Sequence, residues 1–252
     1  MRAILGFACA VLLLSAAANA QPTDPITARL SAEKAGILEP GLYSAGEGRE
    51  FSLTAYRGKY LLRFADGAEN FVLTADPSSM GAKLLKYDTG AAALSVSVWG
   101  GVTLYAADAP GGLPATRQGE AVPPSPVAIS AADLKEALDD EGSHFSYADN
   151  LGLRFSVDAA TLGDGDSRAM AFDALANTQA GIERFVASSP AARQALNSRV
   201  TLVRLEKGKP GMTLTARTLV VRYAPADGFL GHASSHAVAH QLGKLLSAST
   251  AE

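Results

Sequence analysis

Three of the four histidines in this chain are evenly spaced: His232, His236 and His240, each four residues from the next. On a helix such residues share a face, drifting by only about 40° per step. Imidazole nitrogens at that spacing can chelate zinc or copper, so this cluster is the candidate metal site and either ion the candidate cofactor. A simpler reading competes with it. Ser234-Ser235 makes a natural N-cap, which puts His232 in the loop before the helix. Val238, Leu242 and Leu245 form the apolar stripe, and His236 and His240 lie two positions either side of Val238, on the face predicted to be solvated. The segment His232-Ala233-Ser234-Ser235-His236 also lacks the glutamate that follows the first histidine of a zinc-peptidase helix. Spacing alone therefore favours solvated imidazoles over a chelate.

Other reactive constellations are weaker still. Ser44, Ser143 and Ser167 lie near glycines but lack the second glycine of a nucleophile elbow. His144 is the one histidine outside the cluster, which leaves an unrecognised hydrolase with little to stand on. Asp164-Gly165-Asp166 resembles part of a calcium loop, yet the remaining oxygen donors and the closing glutamate are missing, and helix capping accounts for it. Asp139-Asp140-Glu141 sit side by side on a helix rather than across a cleft. Gly100-Gly101 reads as a hairpin turn and Gly111-Gly112 as linker; neither forms a phosphate loop. Tyr56 and Trp99 stand out of phase with the aliphatic faces Phe51-Leu53 and Leu94-Val96-Val98. They are the candidate exposed aromatics for a ligand or partner surface.

The elements that must position these residues begin after a leader. Arg2, an apolar run from Ala3 to Leu14 and the small-x-small ending Ala18-Asn19-Ala20 form a signal peptide, residues 1–20, cleaved after Ala20. The run is too short to span the roughly 30 Å of a bilayer core, and nothing later is apolar over that length. The processed chain is expected to be soluble, not an integral membrane protein, and periplasmic or secreted. Cys9, the only cysteine, lies in the leader, so the mature chain has no disulfide and no thiolate chemistry. Cleavage leaves 21 basic against 25 acidic side chains, about −4 in net charge. With no basic block, nucleic acid and anionic lipid are poor partners.

Residues 21–40 form an N-terminal segment with a short helical candidate, Thr27 to Gly36, between prolines. From 41 to 107 short alternating strands recur with turn signals between them, as in an antiparallel β meander or small barrel. Asp66-Gly67 suits a tight hairpin turn. Residues 108–129 read as a proline-rich linker and the domain boundary, with Arg117 as its tryptic site. Residues 130–252 mix elements: a short helix from Ser130 to Gly142, a strand over Leu151–Val157, a long helix capped near Asp164 and ending before Pro190, and a helical turn over Ala191–Asn197. A three-stranded meander (Val200–Leu205, Met212–Leu214, Leu219–Tyr223) and a last helix over Ser235–Ser247 complete it. The expected fold class is α+β: a β module followed by a two-layer helix-over-meander unit.

Two stretches carry a family resemblance. Glu50-Phe51-Ser52-Leu53, Lys59-Tyr60-Leu61-Leu62-Arg63-Phe64 and Gly100-Gly101-Val102-Thr103-Leu104-Tyr105 form one. Leu219-Val220-Val221 with Asp227-Gly228-Phe229-Leu230-Gly231-His232-Ala233-Ser234-Ser235 forms the other. Their order and spacing resemble an exported bacterial family catalogued only as a domain of unknown function. The resemblance implies a Gram-negative periplasm and basic residues at the positions of His232 and His236. It carries over no activity and no catalytic residue.

The expected role is a non-catalytic binding or envelope-associated accessory protein that uses its β module, with metal binding and hydrolysis as alternatives. N-terminal sequencing of the exported protein should begin at Gln21; recovery of the intact precursor from the cytoplasm would contradict the leader.

Overall fold

The computed structural model describes residues 38–46, 48–78 and 81–247. The leader and the Thr27–Gly36 helix expected from sequence lie outside them.

Eight antiparallel strands close a barrel: β1 (Gly41–Ala45), β2 (Arg49–Tyr56), β3 (Lys59–Phe64), β4 (Phe71–Pro77), β5 (Lys83–Lys86), β6 (Ala92–Val96), β7 (Val102–Ala106) and β8 (Ala109–Gly119). Alternation aims every second residue inward. Phe51, Leu62, Leu73, Leu85, Leu94 and Leu104 are at most 1% exposed, so side chains fill the lumen. Among the described residues the barrel interior is a packed core.

β8 corrects the linker expectation. Proline and glycine density predicts a boundary from residue 108, but residues 109–119 form the strand that pairs with β1 and β7 and closes the barrel. Gly112 has φ +85°, and a Cβ there would overlap the Thr103 side chain. The register slips beside it, between Leu104 and Ala106. These residues bend a long closing strand rather than interrupting it. Arg117 is anchored in that strand by Pro40 O (3.0 Å) and Glu120, so it is not a free tryptic site. The extended connection is confined to residues 120–130.

The second unit is the expected two-layer arrangement. Its helices are α1 (Ala131–Asp149), the short α2 (Ala159–Gly163), α3 (Gly165–Ser188), α4 (Pro190–Arg199) and α5 (Ser235–Ser247). They pack on a sheet of β9 (Arg154–Val157), β10 (Leu202–Lys207), β11 (Gly211–Thr215) and β12 (Thr218–Tyr223). The sheet order is β11-β12-β10-β9, with β10 parallel to both β9 and β12. This overturns the simple meander. β11 passes over the end of β12 to reach the outer edge, and Gly208 N–H donates to Tyr223 O at the crossing. Helix α1 runs past Gly142, where sequence ended it. The missing Cβ lets the helix approach Leu153 O, at 3.1 Å from where a Cβ would stand, and Asn150 in the left-handed region provides the true C-cap. Asp164 caps α3 as expected, accepting Ser167 N–H at 3.0 Å.

Helix α1 faces α3 through Glu141, His144 and Glu183. Burial, reinforced by Glu183 and Asp140 and opposed by His144, pushes the Glu141 carboxyl up to about 7. One of its oxygens is buried without a hydrogen-bond partner. A carboxyl raised in the fold stabilises it below its ordinary value of 4.5, and that contribution is lost as pH rises through about 7. Glu141→Gln should therefore stabilise the protein at pH 8 by about 1 kcal/mol, screening being strong for a half-exposed group. At pH 4.5 it should change little. Urea unfolding at both pH values tests this, and equal effects would refute it.

Candidate functional site

Helix α3 has two faces. Its aliphatic side, including Leu175, Ile182 and Val186, enters the core of the second unit. The opposite stripe, at three-and-four spacing, is small and polar: Ala169, Asp173, Ala176, Asn177, Ala180 and Glu183. This stripe turns toward the barrel without filling the space between, and a cavity of about 1080 Å³ results. The barrel wall opposite is aromatic. Phe64, Phe71, Tyr87 and the His236 imidazole form a chain of ring contacts, with centroids 6.1, 5.3 and 4.7 Å apart in turn. Ser125, Pro126 and Val127 of the connecting segment line the cavity as well.

The two units are docked by the N-terminus of α5. Asp88 accepts Ser234 N–H at 2.9 Å and the Ser234 hydroxyl at 2.6 Å. Glu69 accepts Ser235 N–H at 2.7 Å and the Ser235 hydroxyl at 2.6 Å. Two barrel carboxylates thus satisfy the orphan donors of a first helical turn, where the helix dipole favours negative charge. The Ser234 hydroxyl also accepts Ala237 N–H as N-cap. Arg184 donates to the Ser235 hydroxyl at 3.0 Å. Glu69 arrives on residues 65–70 between β3 and β4, a longer connection than the tight Asp66-Gly67 hairpin expected from sequence. Burial pushes its carboxyl upward, against the Ser235 bonds and Arg184.

The three helical-spaced histidines go to three environments. His240 is exposed. His236 is wedged against Phe71 and Tyr87 instead of facing solvent, because the barrel covers the face predicted to be solvated. Burial, with Arg184 adding, draws its pKa below the ordinary imidazole value, while burial pushes the Tyr87 phenol up to about 12. His232 is 8% exposed, in the loop before α5 as expected. Its Nδ1 accepts from Asn177 Nδ2 at 3.1 Å, and its Nε2 lies 2.7 Å from Asp173 Oδ2, too oblique for an in-line hydrogen bond. Among the described residues no three His, Cys, Asp or Glu side chains are grouped to hold a metal. The fourth histidine, His144, meets Glu183 at 3.0 Å, and among the described residues no serine hydroxyl bonds to an imidazole.

Tyr56 and Trp99 part company. Trp99 is 79% exposed, beyond the end of β6, and does not line the cavity. Tyr56 points away from the barrel core, as its phase predicted, but the 3-10 segment Pro225–Gly231 covers it. Its ring meets Phe229 edge-on at 5.5 Å, Arg57 donates to Ala226 O, and a Cβ at Gly228 would overlap the Tyr56 hydroxyl.

A family model described as a domain of unknown function, DUF4908, matches residues 25–242. This chain belongs to the DUF4908 family. No curated protein and no solved structure matches it. Within this DUF4908 protein, Glu69, Asp88, Asp173 and Asn177 escaped sequence reading. The one available signal was the small and polar stripe on α3 opposite its aliphatic face. Among the described residues no helix is long and apolar enough to cross a membrane.

The docking clamp is testable by a double-mutant cycle. Glu69→Ala and Ser235→Ala should couple by about 1–2 kcal/mol in urea unfolding, as for a hydrogen bond to a charged group. Additive effects would show that the two side chains do not interact.

Proposed function

We propose that this DUF4908 protein is an exported, non-catalytic binding protein of the bacterial envelope, and that the cavity between its barrel and α3 is the ligand site. The observation that carries this reading is the cavity's size and lining: about 1080 Å³, with an aromatic wall facing a sparse row of polar groups on a rigid helix. Pockets for small organic ligands have this character and scale, and they favour interfaces between structural units. The barrel lumen is already filled, which leaves the interface as the place where the β module contributes to binding.

A non-catalytic role is supported by the state of the imidazoles. His232 is buried with its Nδ1 accepting from Asn177 and its Nε2 against Asp173, His144 is held by Glu183, and His236 is packed among rings. Export to the periplasm is supported by the leader, and an envelope setting by the resemblance described above.

An uncharged fluorescent probe, N-phenylnaphthylamine, tests the site. It should bind the processed protein saturably at a single site. Ala176→Trp, which projects an indole into the cavity, should weaken binding by at least about tenfold while leaving the unfolding midpoint nearly unchanged. Failure of the wild type to bind saturably, or unaltered binding by the variant, would refute the assignment.

A further inference from the structure

The polar row on α3 contains one group that lacks a counter-charge. Asn177 Nδ2 donates to Ala233 O at 3.2 Å and to His232 Nδ1 at 3.1 Å, so the carbonyl contact fixes which end of the amide faces the imidazole. A nitrogen that accepts from an N–H carries no proton itself. The His232 proton is therefore on Nε2, facing Asp173, and the ring is neutral. Asp173 lines the cavity with its side chain 20% exposed. Among the described residues no arginine or lysine pairs with it, and its Oδ2 is buried without an in-line donor. Beside a neutral imidazole in a largely apolar wall, the Asp173 carboxyl has no basic side chain to compensate it among the described residues.

The cationic side chains around the cavity are committed elsewhere. Arg49 grips both oxygens of Asp108, at 3.0 and 2.7 Å. Arg63 donates to Gly67 O and Arg184 to the Ser235 hydroxyl. Arg184 is also eleven residues along α3 from Asp173, about 16 Å on a straight helix. Glu183, the other carboxylate of the row, already accepts from Gln179. Of the two α3 carboxylates, Asp173 is the one whose buried oxygen lacks a donor, and a ligand can supply it.

We propose, on the basis of the cavity reading above, that the ligand is an organic cation: a protonated amine on an apolar, ring-sized body. Asp173 takes the ammonium charge, and the Phe64–Phe71–Tyr87 wall takes the body, where ring faces also attract cations. The buried His232–Asn177 pair acts as the positioning element for the carboxylate.

Three probes sharing a naphthyl body separate the possibilities: naphthylmethylamine, naphthylmethanol and naphthylacetate, titrated calorimetrically into the processed protein at pH 7. The amine should bind on the order of tenfold more tightly than the alcohol, and the carboxylate more weakly than either. Asp173→Asn keeps an oxygen facing His232; it should reduce the preference for the amine over the alcohol to about twofold or less. Equal affinities of amine and alcohol for the wild type, or tightest binding by the carboxylate, would overturn the cation assignment while the cavity stands. No binding by any of the three would overturn the ligand site itself. Should the variant fail to fold, the wild-type ratio of amine to alcohol decides.

Discussion

The grip of Asp88 and Glu69 on Ser234 and Ser235 is the contact on which the rest of this molecule depends. Beyond it, the described residues join the barrel and the helical unit through an extended proline-rich segment, the Arg57 bond to Ala226 O and ring contacts such as Tyr56 on Phe229. With the grip, the start of α5 is fixed to the barrel end. Helix α5 in turn fixes α3, because Gly181 lets the two approach until a Cβ would overlap Val238. The distance from the α3 stripe to the aromatic wall follows from that chain of contacts. Burial opposes the Glu69 charge that the Ser235 bonds and Arg184 favour, so part of what those bonds supply offsets desolvation. The clamp sets geometry, and the apolar contacts around it supply the driving force.

A filled barrel next to an unfilled interface is an uneven distribution of packing. Interiors normally close to crystal-like density, and a gap of this size forfeits dispersion contacts on every face. Larger side chains on α3 would close it: Ala169, Ala176 and Ala180 line the gap, and alanine there adds nothing to the aliphatic core on the other face. The helix is stabilised by alanine's propensity while the cavity is kept open by its size. An aromatic wall facing such a row is better suited to receiving a molecule than to completing a core.

The architecture was largely legible in the sequence because periodicity is local. Period-two alternation from Phe51 to Leu104 marked most barrel strands, and three-and-four spacing marked α3 and α5. What stayed hidden depended on partners distant in sequence. Pro110, Gly112 and Pro114 have linker composition, and only pairing with β1 and β7 makes them a strand. Nothing local distinguishes a hairpin sequence from one in which β12 inserts between β10 and β11. The phases of Tyr56 and His236 set them off the aliphatic faces of their own elements, and sequence alone therefore made the one exposed and the other solvated. A second unit covers those faces, and hydropathy carries no record of that. Asp173 was hidden for another reason: one acid on a long helix is unremarkable until a histidine from residue 232 is brought against it.

The same short loop serves both ends of the site. Within five residues, His232 abuts Asp173, Ser234 and Ser235 bind the barrel carboxylates, and His236 extends the aromatic wall. These residues cannot move independently, since Ala233 O is held by Asn177 of α3 and Ser234 begins the helix. A loosening of the clamp therefore also displaces the imidazole that lies against Asp173. Conversely, a cation neutralising Asp173 removes the penalty of a bare carboxylate at the interface and so favours the docked arrangement. In the cation reading proposed above, ligand occupancy and docking of the barrel on the helical unit are coupled through residues 232–236.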